Sequence, residues 1–154
     1  MENGAGTYLI VLRSEVSRRV QVGKLGTLEL DVGYYLYVGS AFGPGGIKAR
    51  VSRHHKKRKT KHWHLDYLST ILTPIEVWYT HDPQRREHNW AALLLAQRNM
   101  IPITGFGCSD CRCKAHFFYR RARPRLANFR REIARNLALH GPIRRSPAGE
   151  FAAR

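Results

Sequence analysis

The polar and apolar positions fall into two regimes. In the first forty residues the apolar positions come in short runs or alternate, which is the signature of strands. "TYLIVLR" (7–13) and "RRVQV" (18–22) are rich in β-branched and aromatic residues, and residues 14–17 connect them. "KLGTLELDVG" carries turn glycines around a segment with Leu28 and Leu30 on one side, and Tyr34 to Val38 reads as a further strand. With no helical period among them, these segments predict an antiparallel meander.

From Gly46 the period changes. Ile47 and Val51 are four apart among cations, which predicts a basic amphipathic helix to about Arg58, with Arg50 and His54 sharing one face. "HWHLDYLSTIL" fits two patterns: Trp63, Leu65 and Tyr67 alternate, whereas Leu65, Leu68 and Leu72 suit the helix favoured here, which Pro74 ends. "IEVWYT" (75–80) predicts a strand closed by the turn residues His81, Asp82 and Pro83. Glu87 to Gln97, "EHNWAALLLAQ", is the clearest helix. "TGFGCSDCRCK" reads as a loop and "AHFFYRR" as extended structure. Arg125 to Leu139 then sets Leu126, Phe129, Ile133 and Leu137 on one stripe with arginines off it. Residues 141–154 lack periodicity and are expected to form a flexible tail. The expected organisation is α+β: a small central antiparallel sheet flanked by helices in residues 1–121, a basic helical extension over 122–140, then the tail.

Charge changes the picture. The 154 residues hold 27 Lys and Arg against 11 Asp and Glu, a formal charge of +16. A field that strong, if it is more than a solubility device, implies a polyanionic partner, nucleic acid first among them. It is clustered. Residues 48–61 contain eight Lys and Arg and no acid, namely Lys48, Arg50, Arg53, Lys56, Lys57, Arg58, Lys59 and Lys61. Residues 119–154 contain ten Arg and no Lys, among them Arg120, Arg121, Arg130 and Arg131. Guanidinium forks match phosphate oxygens bidentately. The longest early apolar run, Tyr8 to Leu12, is too short for a signal-peptide core or a membrane span. Three cysteines at awkward spacing suit a reducing interior, so the expected location is cytoplasmic, in contact with the nucleoid if DNA is the partner.

The stretch "GYYLYVGSAFGPGG" (33–46) is neutral and rich in tyrosine and glycine. It fails as a phosphate loop, because Gly46 is followed by Ile47, Lys48 and Ala49, and no dinucleotide fingerprint is present. Its glycines suit a tight turn from strand into helix, whose N-terminus would offer amides to a phosphate.

"GTY" at residues 6–8, followed by "YVG" at residues 37–39, resembles the GIY-YIG nuclease signature. The resemblance implies two motifs on neighbouring strands, an arginine on the following helix, and a glutamate on a later helix holding one divalent ion. Tyr8, Tyr37, Arg50 and Glu87 stand in that order. "YVGSAFGPGGIKARVSRH" also resembles the nucleotide-excision-repair nuclease subunit, and the correspondence runs from about Gly6 to Gln97. Thr7 and Val38 replace isoleucines, a change expected to touch packing only, and the asparagine that several members use has no counterpart placed here. "WHLDYL" (63–68) and "GFGCSDCRCKAHFFY" (105–119) resemble a branch of small bacterial and archaeal proteins of unassigned function, some fused to an endonuclease III-type glycosylase.

Phosphodiester hydrolysis needs a polarised phosphoryl oxygen, a deprotonated water and a stabilised leaving oxygen. Glu87, at the edge of the buried helix face, is the candidate ligand for one Mg2+ or Mn2+; the alternative is a first-turn glutamate favoured by the helix dipole. Tyr8 or Tyr37 would help deprotonate water if a cation lowers its pKa, though strand tyrosines also serve as packing. Arg50 would hold the scissile phosphate and His54 would donate to it or shuttle a proton. Cys108, Cys111, Cys113 and His116 form a C-x2-C-x-C-x2-H cluster that matches zinc donors, or else a compact turn with partly buried thiols. His62, His64 and Asp66 form either a further ligand group or a polar edge. The leading expectation is a metal-dependent endonuclease acting on DNA in repair. The alternatives are a non-catalytic nucleic-acid-binding module and a zinc-structured adaptor to a repair enzyme.

Overall fold

A computed structural model of the chain describes residues 4–55, 64–104 and 115–147, except the side chains of His55 and His64. Among these residues it is an α+β protein built on one antiparallel six-stranded sheet. In chain order the elements are β1 (Gly6–Ser14), β2 (Arg18–Val22), β3 (Gly26–Leu30), β4 (Gly33–Ala41), α1 (Gly46–His55), β5 (Thr73–Thr80), α2 (Glu87–Leu95), β6 (Ile101–Pro102), β7 (Phe117–Arg120), α3 (Leu126–Asn136) and β8 (Arg144–Pro147). The sheet order is β6-β7-β4-β1-β5-β8.

The expected meander is not what forms. β1 pairs with β4 along its whole length, from Gly6 opposite Ala41 to Ser14 opposite Gly33. β2 and β3 pair only with each other, as a separate two-stranded sheet. Burial explains the choice. Every residue of β1 from Gly6 to Leu12 is buried, so the strand needs cover on both faces and a partner on both edges, which β4 and β5 supply. The β2–β3 hairpin is apolar on one side only. Val22 and Leu30 are buried and Val20 and Leu28 half-buried, while Arg19 and Glu29 bond across the outer side at 2.8 Å. It therefore lies over the core as a flap. Pro74 sits near the start of β5, where the β1–β5 register shifts between Val11 and Leu12 and the missing N–H is tolerated.

Two cores follow from the two faces. On one, Tyr8, Ile10, Leu12, Tyr35, Tyr37, Val77 and Phe117 meet Ile47 and Val51 of α1 and Leu65, Leu68 and Leu72. On the other, Leu9, Val11, Leu36, Val38, Trp78 and Phe118 meet Trp90, Ala91 and Leu94 of α2 and Leu126, Phe129 and Ile133 of α3. The apolar stripes of α1, α2 and α3 thus select their faces as the periodicity predicts. The segment 64–68 is a short 3-10 helix, pinned by the buried Asp66 carboxylate, whose two oxygens each lie 3.0 Å from Arg53. Gly45 and Gly46 take φ of 83° and 63° at the turn into α1, the backbone freedom expected of them.

Residues 141–147, expected to belong to a flexible tail, are bonded into the fold. The Gly141 amide donates to Asp82 (2.8 Å), Arg130 donates to the Ile143 carbonyl (2.6 Å), and β8 pairs with β5 at the sheet edge. The apolar pattern could not reveal this, because "RRSP" joins the sheet through its backbone with only Ser146 buried. Nor is α3 an appendage, since its stripe closes the second core. Among the described residues no helix is long and apolar enough to cross a membrane.

Candidate active site

The site gathers where β1, β4, α1 and α2 meet. Tyr8 lies opposite Gly39 across the β1–β4 ladder, and its ring covers that glycine: a methyl group there would overlap the hydroxyl end of the ring. The glycine of "YVG" is thus the floor on which the tyrosine of "GTY" rests. The Tyr8 hydroxyl is 2.9 Å from Nε2 of the buried His54, a hydrogen bond whose direction follows the imidazole tautomer. His54 also meets the Tyr37 ring edge-on, with centroids 5.3 Å apart. Arg50, one turn earlier on the same face of α1, donates to the Ser40 carbonyl at 3.1 Å.

The electrostatics of Tyr8 register its neighbours. Burial, foremost, pushes its pKa well above the ordinary value; the nearby Tyr37 and Glu87 add to this, while a hydrogen bond and the charge of Arg50 oppose it. Two consequences follow. The acid, the guanidinium and the two phenols, distant in the chain, lie within electrostatic reach of one hydroxyl. And in the protein alone Tyr8 is a neutral phenol at physiological pH, because desolvation outweighs the arginine. The proton acceptor at hand is His54.

Glu87 opens α2. Its position is set from the sheet: Thr7 Oγ1, the middle residue of "GTY", accepts the Arg86 amide at 3.1 Å in a buried bond. Replacement of the expected isoleucine therefore does more than alter packing; it anchors the helix that carries the glutamate. Arg86 in turn donates to the buried Asp82 at 3.1 Å. Burial by itself pushes the Asp82 carboxyl up, but hydrogen bonds from the Gly141 and Gln84 amides and from Arg86 outweigh it and hold it below its ordinary value.

His116, placed with the cysteines by the sequence, stands beside Glu87, its Nδ1 3.7 Å from Oε2. That distance is too long for a hydrogen bond. Burial, then the neighbouring His88, lower the His116 pKa to about 4, so the pair is a neutral imidazole facing a carboxylate, not an ion pair. His88 completes the group: one donor atom each from Glu87, His88 and His116 falls within 4.8 Å of the others. A neutral imidazole and a carboxylate are ready ligands, so these residues fit a divalent ion. His88 carried no sequence signal beyond its adjacency to Glu87. Cys108, Cys111 and Cys113 lie outside the described residues, as do Lys56, Lys57, Arg58, Lys59, Lys61 and His62.

The remaining cations divide by role. Arg53, half-buried, is engaged with Asp66, and Arg130, though exposed, with the Ile143 carbonyl, so both guanidinia tie elements together. Arg121 and Arg131 are exposed, whereas Lys48 and Arg120 are half-buried. The helix-terminus expectation also changes: the Gly46 and Ile47 amides donate to the Gly43 and Gly4 carbonyls (3.2 and 3.0 Å) and are spent on the fold.

The fold and site together define an α+β domain with a buried tyrosine–histidine pair beside a glutamate–histidine cluster on a strongly basic chain. A family model for a domain of unknown function, DUF123, matches residues 7–139, and the chain belongs to that family. No curated protein and no solved structure matches it. The matched span takes in Tyr8, Tyr37, Arg50, His54, Glu87 and His116 and stops short of β8.

Proposed function

We propose that the protein is a metal-dependent endonuclease of the GIY-YIG type that hydrolyses DNA phosphodiester bonds. One observation carries the reading: Tyr37, Arg50 and Glu87 all bear electrostatically on the Tyr8 hydroxyl, which is itself bonded to His54. In this reading the basic face of α1 draws in the strand and Arg50 holds the scissile phosphate. Glu87 holds one Mn2+ or Mg2+, which when bound polarises the phosphoryl oxygen and stabilises the leaving oxygen. The Tyr8 oxygen takes a proton from the attacking water as its own proton passes to His54 Nε2, so no free phenolate is required. Tyr37 packs against His54 and holds the imidazole in place.

The test is nicking of plasmid and branched duplex DNA with Mn2+ or Mg2+. Wild-type protein is expected to cleave, and Glu87→Gln to lose cleavage while keeping DNA affinity. Folded wild-type protein that cleaves nothing in the panel, yet binds DNA with or without chelator, would instead be a binding module without turnover.

A further inference from the structure

We propose that Glu87, His88 and His116 form one centre that prefers a first-row transition-metal ion of the Mn2+, Co2+ or Zn2+ kind to magnesium. The donor atoms come from two places the chain keeps far apart, the first turn of α2 and the residue before β7, yet all lie within 4.8 Å of one another. Each is positioned by the fold. His116 is buried, and its carbonyl accepts the Val38 amide at 2.9 Å, which holds its main chain against β4 beside the second tyrosine motif. Glu87 is set by the Thr7–Arg86 bond. The His88 and His116 rings lie 5.6 Å apart and are tilted by 53°, so they are not stacked face to face. His88 is exposed and the Glu87 side chain 21% exposed, which gives an ion and its waters a way in.

The donor chemistry decides the class of ion. Magnesium takes an octahedron of oxygens and keeps most of its waters, and imidazole adds little for it. Two imidazoles and one glutamate are instead the ligand set of catalytic zinc sites, with a position left for water or substrate. Affinity for such a set rises along the first-row divalent series and far exceeds that for Mg2+. The inference rests on the endonuclease reading for what the ion does; the binding itself can be measured without it.

The experiment is titration of the full-length, metal-stripped protein with Co2+, followed by its visible d–d absorption, with Mg2+ as competitor. Wild-type protein is expected to bind one Co2+ in this way, and a roughly hundredfold excess of Mg2+ to leave it bound. His88→Ala and Glu87→Gln are each expected to weaken binding by at least about tenfold. Both positions are partly or fully exposed, so these variants report on the centre even if His116→Gln fails to fold. Affinity unchanged in His88→Ala, or displacement by equimolar Mg2+, overturns the proposal. So does Co2+ absorption dominated by thiolate charge-transfer bands and indifferent to both substitutions, which would put the metal on the cysteines. The two readings fail separately. Cleavage that needs Glu87 but not His88 leaves an endonuclease with a carboxylate-only ion, whereas His88-dependent Co2+ binding without cleavage removes the endonuclease and keeps the centre.

Discussion

Gly39 and Tyr8 are two halves of one contact. Because the Tyr8 ring lies where a Gly39 side chain would be, Gly39→Ala must push the ring away from His54 or shift β4. The expected result is a loss of about 1–3 kcal/mol in denaturant unfolding, with cleavage falling further than stability explains. Thr7 supports a second expectation. Thr7→Val keeps the shape but leaves the Arg86 amide buried without its acceptor, at a cost of about 1–3 kcal/mol, whereas Thr7→Ser retains the bond and most of the stability. Equal stability of the Val and Ser variants would refute the anchoring role. The tripeptide order was legible in the chain; the reason for it was not, since neither the ring-on-glycine contact nor the threonine bond leaves a mark in periodicity.

The elements around α2 are joined by polar bonds as much as by apolar packing. Asp82 accepts from Gly141, Gln84 and Arg86, and Trp90 Nε1 donates to His140 at 2.9 Å, so the segment after α3 is tied to the start of the helix that carries Glu87. The Asp82 carboxyl is held below its ordinary value in the folded state. Its contribution is therefore complete above the unfolded carboxylate pKa of about 4 and is lost as pH falls through the lower folded value. Urea titrations at stepped pH should show stability declining below about pH 4. Asp82→Ala should cost about 3–5 kcal/mol at neutral pH and flatten that acid limb. An acid limb of unchanged slope in the variant would assign the decline to other carboxylates. Asp82 was readable only as a turn residue: Gln84 and Arg86 are local partners, but Gly141, which ties the turn to the segment after α3, is 59 residues away.

Over the molecule as a whole, +16 is a fact of composition, but which cations serve a polyanion is a fact of packing. Arg130 and Arg131 are neighbours and both are exposed, but Arg130 donates twice to the Ile143 carbonyl, whereas Arg131 reaches the Asn128 side chain at 3.4 Å. Arg131→Gln should weaken DNA binding alike for all sequences and reduce the slope of log affinity against log salt by about 0.9. Arg130→Gln should lower stability with little effect on that slope. DNA affinity measured across a salt series, beside unfolding curves, separates the two; the reverse assignment would mean that the surface map is wrong.

The chain announced its parts: strands by alternation, helices by apolar stripes, a basic face, two tyrosine motifs with an arginine and a glutamate in order. Those are local properties, set by which side chains suit a given backbone and which must leave water. Pairing β1 with β4, turning β2–β3 into a flap, drawing 144–147 into the sheet, tying Arg53 to Asp66 and Arg130 to Ile143, and bringing His116 to Glu87 all depend on partners remote in sequence. Such partners are chosen when two faces of one sheet are covered at once, and no single segment carries that information.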